Sequence, residues 1–370
     1  MKTKAFASAG SLALIGMLAL SACGSDNATG ENSSSSNSGS DSQVSGTLKG
    51  IGASSQKAAI TAWEAGFASA NSGANVQYSP DGSGAGRKAL LAGAADFAGS
   101  DAHLKPEEYE KSKEVCGPNG AINIPVYISP IAVAFNLPGV KDLNLDAQTT
   151  AKIFKGEIKT WNDPAIKKLN EGVDLPDTKI TVVHRSDDSG TTENFTEYLN
   201  KASNGAWDKE ADGTWPEAYA GESDKGTSGV VKTTSGTEGA ITYADASAIG
   251  DLGKAKIKVN DSFVELSPEA AAKTVEISER KPGGNENDMS IDINRTPEES
   301  DAYPVVLVSY HVVCSGYKDQ AKADLVKAYE KYVVSEQGQQ DAADAASSAP
   351  LTDALRKDAE KAIDSIEVAK

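Results

Sequence analysis

The stretch Lys179-Ile180-Thr181-Val182-Val183-His184-Arg185-Ser186-Asp187-Asp188-Ser189-Gly190-Thr191-Thr192-Glu193-Asn194-Phe195-Thr196-Glu197-Tyr198-Leu199-Asn200-Lys201 changes its periodicity partway along. Residues 179–184 are largely apolar and β-branched, which predicts a strand. Thr192 to Lys201 sets Phe195, Tyr198 and Leu199 at helical spacing, which predicts a helix with one buried face. Between them lies a polar turn ending in Ser-Gly-Thr. A strand that runs through such a turn into a helix is the repeating unit of an α/β protein. The turn is also chemically loaded. A helix start presents unpaired amides and the positive end of the macrodipole, glycine admits a close guest, and hydroxyls donate without adding charge.

Two further stretches join small polar residues to an expected helix start. They are Gly52-Ala53-Ser54-Ser55 and Asp81-Gly82-Ser83-Gly84-Ala85-Gly86. Ordinary N-capping explains any one of them. Three in one chain, beside Arg185 and the segment Asp96-Phe97-Ala98-Gly99-Ser100-Asp101, favour an anion site. The surrounding pattern alternates strand and helix. Gln56 to Ala70 buries Ala59, Ile60, Trp63 and Phe67. Asn75 to Tyr78 reads as a strand, Arg87 to Leu91 as a short helix, and Ile122 to Leu137 as a long strand or strand pair. Asp146 to Lys155 reads as a helix stopped by Gly156, Tyr303 to Cys314 as a strand, and Asp319 to Ser335 as an amphipathic helix. Alternating charges over Asp341 to Lys370 predict a helix with a solvated face.

The 370 residues carry a formal charge of -17, which argues against nucleic-acid binding because such proteins need a basic footprint. Three cysteines and three histidines exclude zinc fingers, iron–sulfur ligation and a disulfide-rich miniprotein. At the N-terminus, Lys2 and Lys4 precede an uncharged, mostly apolar run from Ala5 to Leu20, the order of a signal peptide. Leu20-Ser21-Ala22-Cys23 resembles a bacterial lipobox, which implies cleavage before Cys23 and a lipid such as palmitate on it. Residues 1–22 are therefore expected to be removed. Residues 23–46, rich in Ser, Gly, Asn and Asp, form a flexible tether because they lack side chains to offset ordering entropy. Cys116 and Cys314 remain as a disulfide or as two buried thiols; spacing does not decide between them.

Over nearly the whole expected mature body, the sequence resembles the phosphate-binding lipoproteins of bacterial ABC importers, the PstS family. The matching stretches are Gly52 to Ser54, Gly82 to Gly84, Asp96 to Asp101, Arg185 to Thr191, and Gly156-Glu157-Ile158-Lys159-Thr160-Trp161-Asn162-Asp163-Pro164. The resemblance implies an α/β, two-lobed periplasmic-binding-protein-like (type II) fold with a hinge of two crossing strands. Lobe I would comprise 47–126 and 312–370, and lobe II 127–311. It implies phosphate contacts from Ser54, the amide of Ser55, Ser83, Asp101, Arg185, Ser189, Gly190 and Thr191, with Asp187 supporting the arginine. Many relatives carry an aromatic residue and then proline where this chain has Ser55 and Gln56, so a side-chain role at Ser55 does not follow from the resemblance.

The implied function is non-enzymatic: an extracytoplasmic lipoprotein, anchored at the cell membrane, that captures inorganic phosphate and passes it to permease and ATPase subunits. No metal or cofactor is expected. Other chemistries fit less well. Gly82 to Gly86 lacks the full dinucleotide-loop spacing. Ser189 sits in no nucleophile elbow, and His103, His184 and His311 stand in no catalytic motif. A phosphatase would need a metal pair or an activated nucleophile, and none stands out.

Overall fold

The computed structural model describes residues 44–369. The expected signal peptide, Cys23 and all but the last residues of the tether lie outside them. Gly46 already pairs with Ala74, so the tether expected to run to residue 46 has given way to a strand there.

The strands are β1 (Gly46–Gly52), β2 (Ala74–Ser79), β3 (Phe97–Ser100), β4 (Ala121–Phe135), β5 (Asp142–Leu145), β6 (Thr181–Arg185), β7 (Glu222–Asp224), β8 (Ala240–Asp245), β9 (Gly253–Val259), β10 (Ser262–Val264), β11 (Glu279–Arg280), β12 (Ile291–Asp292), β13 (Val306–Cys314), β14 (Gly316–Tyr317) and β15 (Glu367–Val368). The helices are α1 (Lys57–Ala70), α2 (Ser83–Leu91), α3 (Pro106–Cys116), α4 (Ala147–Phe154), α5 (Pro164–Leu169), α6 (Gly190–Ala202), α7 (Gly226–Gly236), α8 (Pro268–Glu276), α9 (Gln320–Val334), α10 (Glu336–Ala346) and α11 (Asp353–Asp364). One curled sheet runs β2-β1-β3-β13-β4-β8-β6-β7. The chain therefore has the mixed α/β, two-lobed architecture, with β4 and β13 as the strands that pass between the halves.

Strand β4 explains how. All 15 of its residues are buried, as a strand covered on both faces must be. Ala121–Pro130 pairs antiparallel with β13, whereas Ile131–Phe135 pairs with β8. One strand thus belongs to both halves and changes partner at Pro130, which has no amide hydrogen to give to a ladder. Around it, β1, β2 and β3 run parallel to one another, and so do β6, β7 and β8. Helix α1 covers the first group with Ala59, Ile60, Trp63 and Phe67, the stripe expected from spacing. Helix α6 buries Phe195, Tyr198 and Leu199 on the second.

A disulfide joins Cys116 to Cys314 across a sequence separation of 198. It ties the end of α3 to the end of β13, so the excursion through the second half is closed at its base. Some expectations are corrected. Helix α2 begins at Ser83 rather than Arg87, and the last long strand starts at Val306 rather than Tyr303. The C-terminal stretch is not a single solvated helix. It breaks at Ser347, with φ 49°, continues as α11, and ends in β15 beside β14; Ala359, Ala362, Ile363 and Ile366 are buried. Alternating charge marked the wet face and hid the dry one. Among the described residues, no helix is long and apolar enough to cross a membrane.

Candidate anion-binding site

Each parallel group delivers its carboxyl ends to one edge. Because β3, β13, β4 and β8 alternate in direction, the two groups run in opposite senses and point those ends at each other; ligands of open α/β sheets bind outside such ends. Here β1 ends at Gly52 and turns through Ala53-Ser54-Ser55 into α1. Strand β3 hands on Asp101, β6 ends at Arg185 before α6, and β7 leads through Lys225 to the start of α7. Four helix starts converge, three with no acidic residue in the first turn, α6 carrying only Glu193.

Asp101 sits at the centre, 3% exposed. Its Oδ1 accepts from Ser55 Oγ at 2.7 Å and Ser309 Oγ at 2.5 Å, and its Oδ2 accepts from Thr191 Oγ1 at 2.8 Å. The Asp101 amide donates to Ser83 Oγ at 3.1 Å, and its carbonyl accepts from Asn194 Nδ2 at 2.7 Å. A buried carboxylate is tolerable only with such partners. Gly190 is required for this approach. A Cβ there would lie 2.7 Å from Asp101 Cβ and 2.8 Å from Ser83 Oγ, so any side chain would push α6 off the carboxylate.

Arg185, also 3% exposed, donates from Nε and Nη2 to Asp187 Oδ1 and Oδ2 at 2.7 and 2.5 Å. The Gly226 amide donates to Asp187 Oδ1 at 3.0 Å. Burial pushes the Asp187 carboxyl up, but the guanidinium and the amide outweigh it and hold the group below its ordinary value. The contacts then close into a circuit. Ser54 Oγ lies 2.9 Å from Thr227 Oγ1 and accepts from the Thr227 amide at 3.0 Å. A Cβ on Gly82 would lie 2.6 Å from Asp187 Oδ2, which sets the Arg185–Asp187 pair against the Ser83 turn.

Ser54, Ser55, Ser83, Asp101, Arg185, Asp187, Gly190 and Thr191 thus surround one spot. Ser189 lies one residue further out, and its hydroxyl accepts from the Thr192 amide at 3.2 Å as the N-cap of α6. Formally the shell is acidic, because Asp101 and Asp187 face one guanidinium; hydroxyls, amides and helix dipoles supply the rest of the field. Nearby, Arg87 is held by Glu108 through Nε at 3.0 Å and donates from Nη1 to Ser100 at 3.0 Å. Tyr243 is pushed up to about 12 by burial, and its hydroxyl meets Thr192 Oγ1 at 2.7 Å beneath the site.

The three histidines are structural. His103 Nδ1 lies 3.0 Å from the Leu104 carbonyl, His184 stacks on Trp215 at 4.9 Å, and His311 meets Glu330 at 2.8 Å inside the core. Burial lowers His103 and His184 from their ordinary value. Among the described residues, no group of three or more acidic, histidine or cysteine side chains could hold a metal.

Several contributors were not singled out from the sequence: Gln56, Asn194, Gly226, Thr227 and Ser309. A signal existed for one pair. Lys225-Gly226-Thr227-Ser228 is a fourth small polar turn before a helix. Ser309 is a lone serine in an apolar strand, and nothing local marks it. The diagnostic Gly156–Pro164 stretch serves the fold: Trp161 Nε1 donates to the Gly239 carbonyl at 3.0 Å, and Asp163 caps α5.

The chain is similar to known proteins in both sequence and fold. The model of the PBP superfamily domain matches residues 37–337. "Phosphate-binding protein PstS 3" of Mycobacterium leprae is 40% identical over 341 residues, spanning 89% of this chain and 90% of that one. "Phosphate-binding protein PstS 2" of Mycobacterium tuberculosis is 39% identical over 347 residues, with the same shares of 89% and 90%. In fold, the chain is similar to a phosphate-binding protein from Stenotrophomonas maltophilia, with a TM-score of 0.67 at 22% identity, covering 86% of this chain and 94% of that one. On its sequence, the chain belongs to the PstS family of phosphate-binding proteins, within the PBP superfamily.

Proposed function

We propose that this protein binds inorganic phosphate between its two lobes and delivers it to an ABC import permease and its ATPase. The observation that carries the reading is Asp101: a buried carboxylate, fed by three hydroxyls, in a shell that also holds Arg185 and four helix starts. Two like charges at contact repel strongly in a low dielectric. A carboxylate in an anion shell makes sense if the guest brings a hydrogen. Phosphate at neutral pH still carries one; sulfate does not. Asp101 accepts that hydrogen from phosphate and faces sulfate with an unmatched lone pair, which is discrimination by an unsatisfied group.

Arg185 is the complementary half. A guanidinium has five N–H hydrogens, and Asp187 takes one each from Nε and Nη2. The remaining edge suits two oxygens of a tetrahedral anion. Ser54, Ser83, Thr191 and the amides of Ser55 and Gly190 complete the shell, with Ser189 at its rim. Micromolar binding corresponds to roughly 8 kcal/mol, and charge-assisted bonds at roughly 1.5–3 kcal/mol each supply that after ordering costs.

The shell draws on both sides of β4 and β13, so it completes only when the halves meet. We assign 47–126 with 312–370 to one lobe and 127–311 to the other; the partner change of β4 at Pro130 supports a crossing in that region. Binding and release by closure need no covalent chemistry, and the role is non-enzymatic. A lipid on Cys23 would hold the protein at the outer face of the cell membrane, and the Cys116–Cys314 disulfide suits that oxidising compartment. Radiolabelled phosphate retention beside a colorimetric ester-hydrolysis assay tests the function. Stoichiometric retention without turnover is expected; turnover without retention would refute it.

A further inference from the structure

Gln56 is the N-cap residue of α1, yet its side chain makes no capping bond to that helix. Fully buried, it reaches instead to β13. Its Nε2 donates to Ser309 Oγ at 2.6 Å and to the Tyr310 carbonyl at 3.2 Å. A carbonyl only accepts, so Tyr310 fixes which end of the amide faces β13. Oε1 is left buried with no partner among the described residues. Leaving an amide oxygen unpaired is costly, so the retained orientation calls for a reason.

The reason lies one bond further on. Ser309 Oγ accepts from Gln56, and its single hydrogen therefore goes to Asp101 Oδ1, 2.5 Å away. The pairing of β13 with β4 shifts register between Ser309 and Tyr310, and such bulges re-aim side chains beside sites. Gly99 leaves the space for this, since a Cβ there would lie 2.7 Å from Gln56 Oε1. With Ser55 donating to the same oxygen, Oδ1 is filled by two hydrogens, while Oδ2 holds only the one from Thr191. A carboxylate oxygen has room for about two.

We infer that Gln56 and Ser309 form a positioning pair that locks Asp101 as an acceptor with one Oδ2 lone pair presented to the guest, and so sets discrimination between tetrahedral anions that carry a hydrogen and those that do not. The inference rests on the phosphate reading above. The pair acts only through the Asp101–ligand bond, which phosphate makes and sulfate does not. Its loss therefore weakens phosphate and spares sulfate, whereas a merely structural role would weaken both.

Calorimetry on the intact chain with phosphate and with sulfate tests this in Gln56→Leu, Ser309→Ala, the double variant and Ser309→Thr. Phosphate affinity should fall about tenfold in each single variant, the span of one charge-assisted bond, with sulfate affinity unchanged. The double variant should be no worse than Ser309→Ala, and Ser309→Thr, which keeps the hydroxyl, should restore wild-type discrimination. Parallel loss of both anions, additive losses or no rescue by threonine would overturn the pair. Unchanged discrimination in the variants of a phosphate-selective wild type overturns the pair alone. A wild type that does not retain phosphate overturns the function beneath it as well.

Discussion

Replacing Arg185 by alanine tests whether the guanidinium faces the anion or merely neutralises Asp187. Two of its hydrogens are committed to Asp187, at 2.7 and 2.5 Å. If the other edge meets phosphate through two bonds, each worth roughly 1.5–3 kcal/mol, their loss removes roughly 3–6 kcal/mol, a factor of about 10²–10⁴ in affinity. A second effect has the same sign. Asp187 would keep the Gly226 amide but lose its cation, leaving a carboxylate against the turn at Gly82, where it repels an incoming anion. Isothermal titration at pH 7 and moderate salt reads the loss directly. Arg185→Ala/Asp187→Ala is the necessary companion, because it removes the stranded charge. The double variant should recover thermal stability relative to Arg185→Ala while phosphate affinity stays at least about a hundredfold below wild type. Affinity within about fivefold of wild type, a difference smaller than one charge-assisted bond, would refute the reasoning and leave Arg185 as a structural ion pair.

Three other outcomes are expected. Gly190→Ala should abolish tight phosphate binding although alanine favours a helix by about 1 kcal/mol, because the new Cβ meets Asp101, Ser83 and the Ala102 amide within 2.9 Å; retained binding by titration would contradict that packing. Reducing the Cys116–Cys314 bond, which closes a separation of 198 residues, should lower stability by up to roughly 5 kcal/mol on the chain-entropy scale, read as a drop in Tm with dithiothreitol that Cys116→Ser/Cys314→Ser does not show. Burial pushes Asp245 from 3.8 up to about 6, against hydrogen bonds from Ser247 and with help from the Asp101 charge. The folded state therefore keeps a proton that the unfolded chain has lost, and stability falls as pH rises through that window and stays lower above it. Asp245→Asn should thus raise stability at pH 7–8 by up to roughly 3 kcal/mol, with the gain vanishing toward pH 4; a pH-independent effect in chemical denaturation would reject this.

The parts of the molecule that local pattern describes were readable in advance. The 179–201 stretch gave strand, turn and helix in order because apolar spacing and a Ser-Gly-Thr cap are local signals. The Trp63 stripe of α1 was legible for the same reason. What was not legible depends on partners distant in sequence. No local cue shows that β4 leaves β13 at Pro130 to join β8, since apolar residues dominate on both sides of the change and Pro125, in the same strand, brings no change of partner. Ser309 lies 208 residues from Asp101, and a bulge, invisible in the sequence, aims it. Gln56 looked like a departure at a helix start, whereas its amide serves another strand. The C-terminal segment misled because α11 is charged on its outer face while Ala359 and Ile363 pack inward.

The most direct test compares phosphate and sulfate affinities in wild type and Asp101→Asn by competition calorimetry. Wild type should bind phosphate and reject sulfate. The asparagine variant exchanges an acceptor for a donor, so phosphate should weaken and sulfate strengthen, shrinking the ratio by at least about tenfold, the span of one charge-assisted bond. An unchanged ratio would contradict the claim that a hydrogen on the guest, accepted by Asp101, is what this site reads.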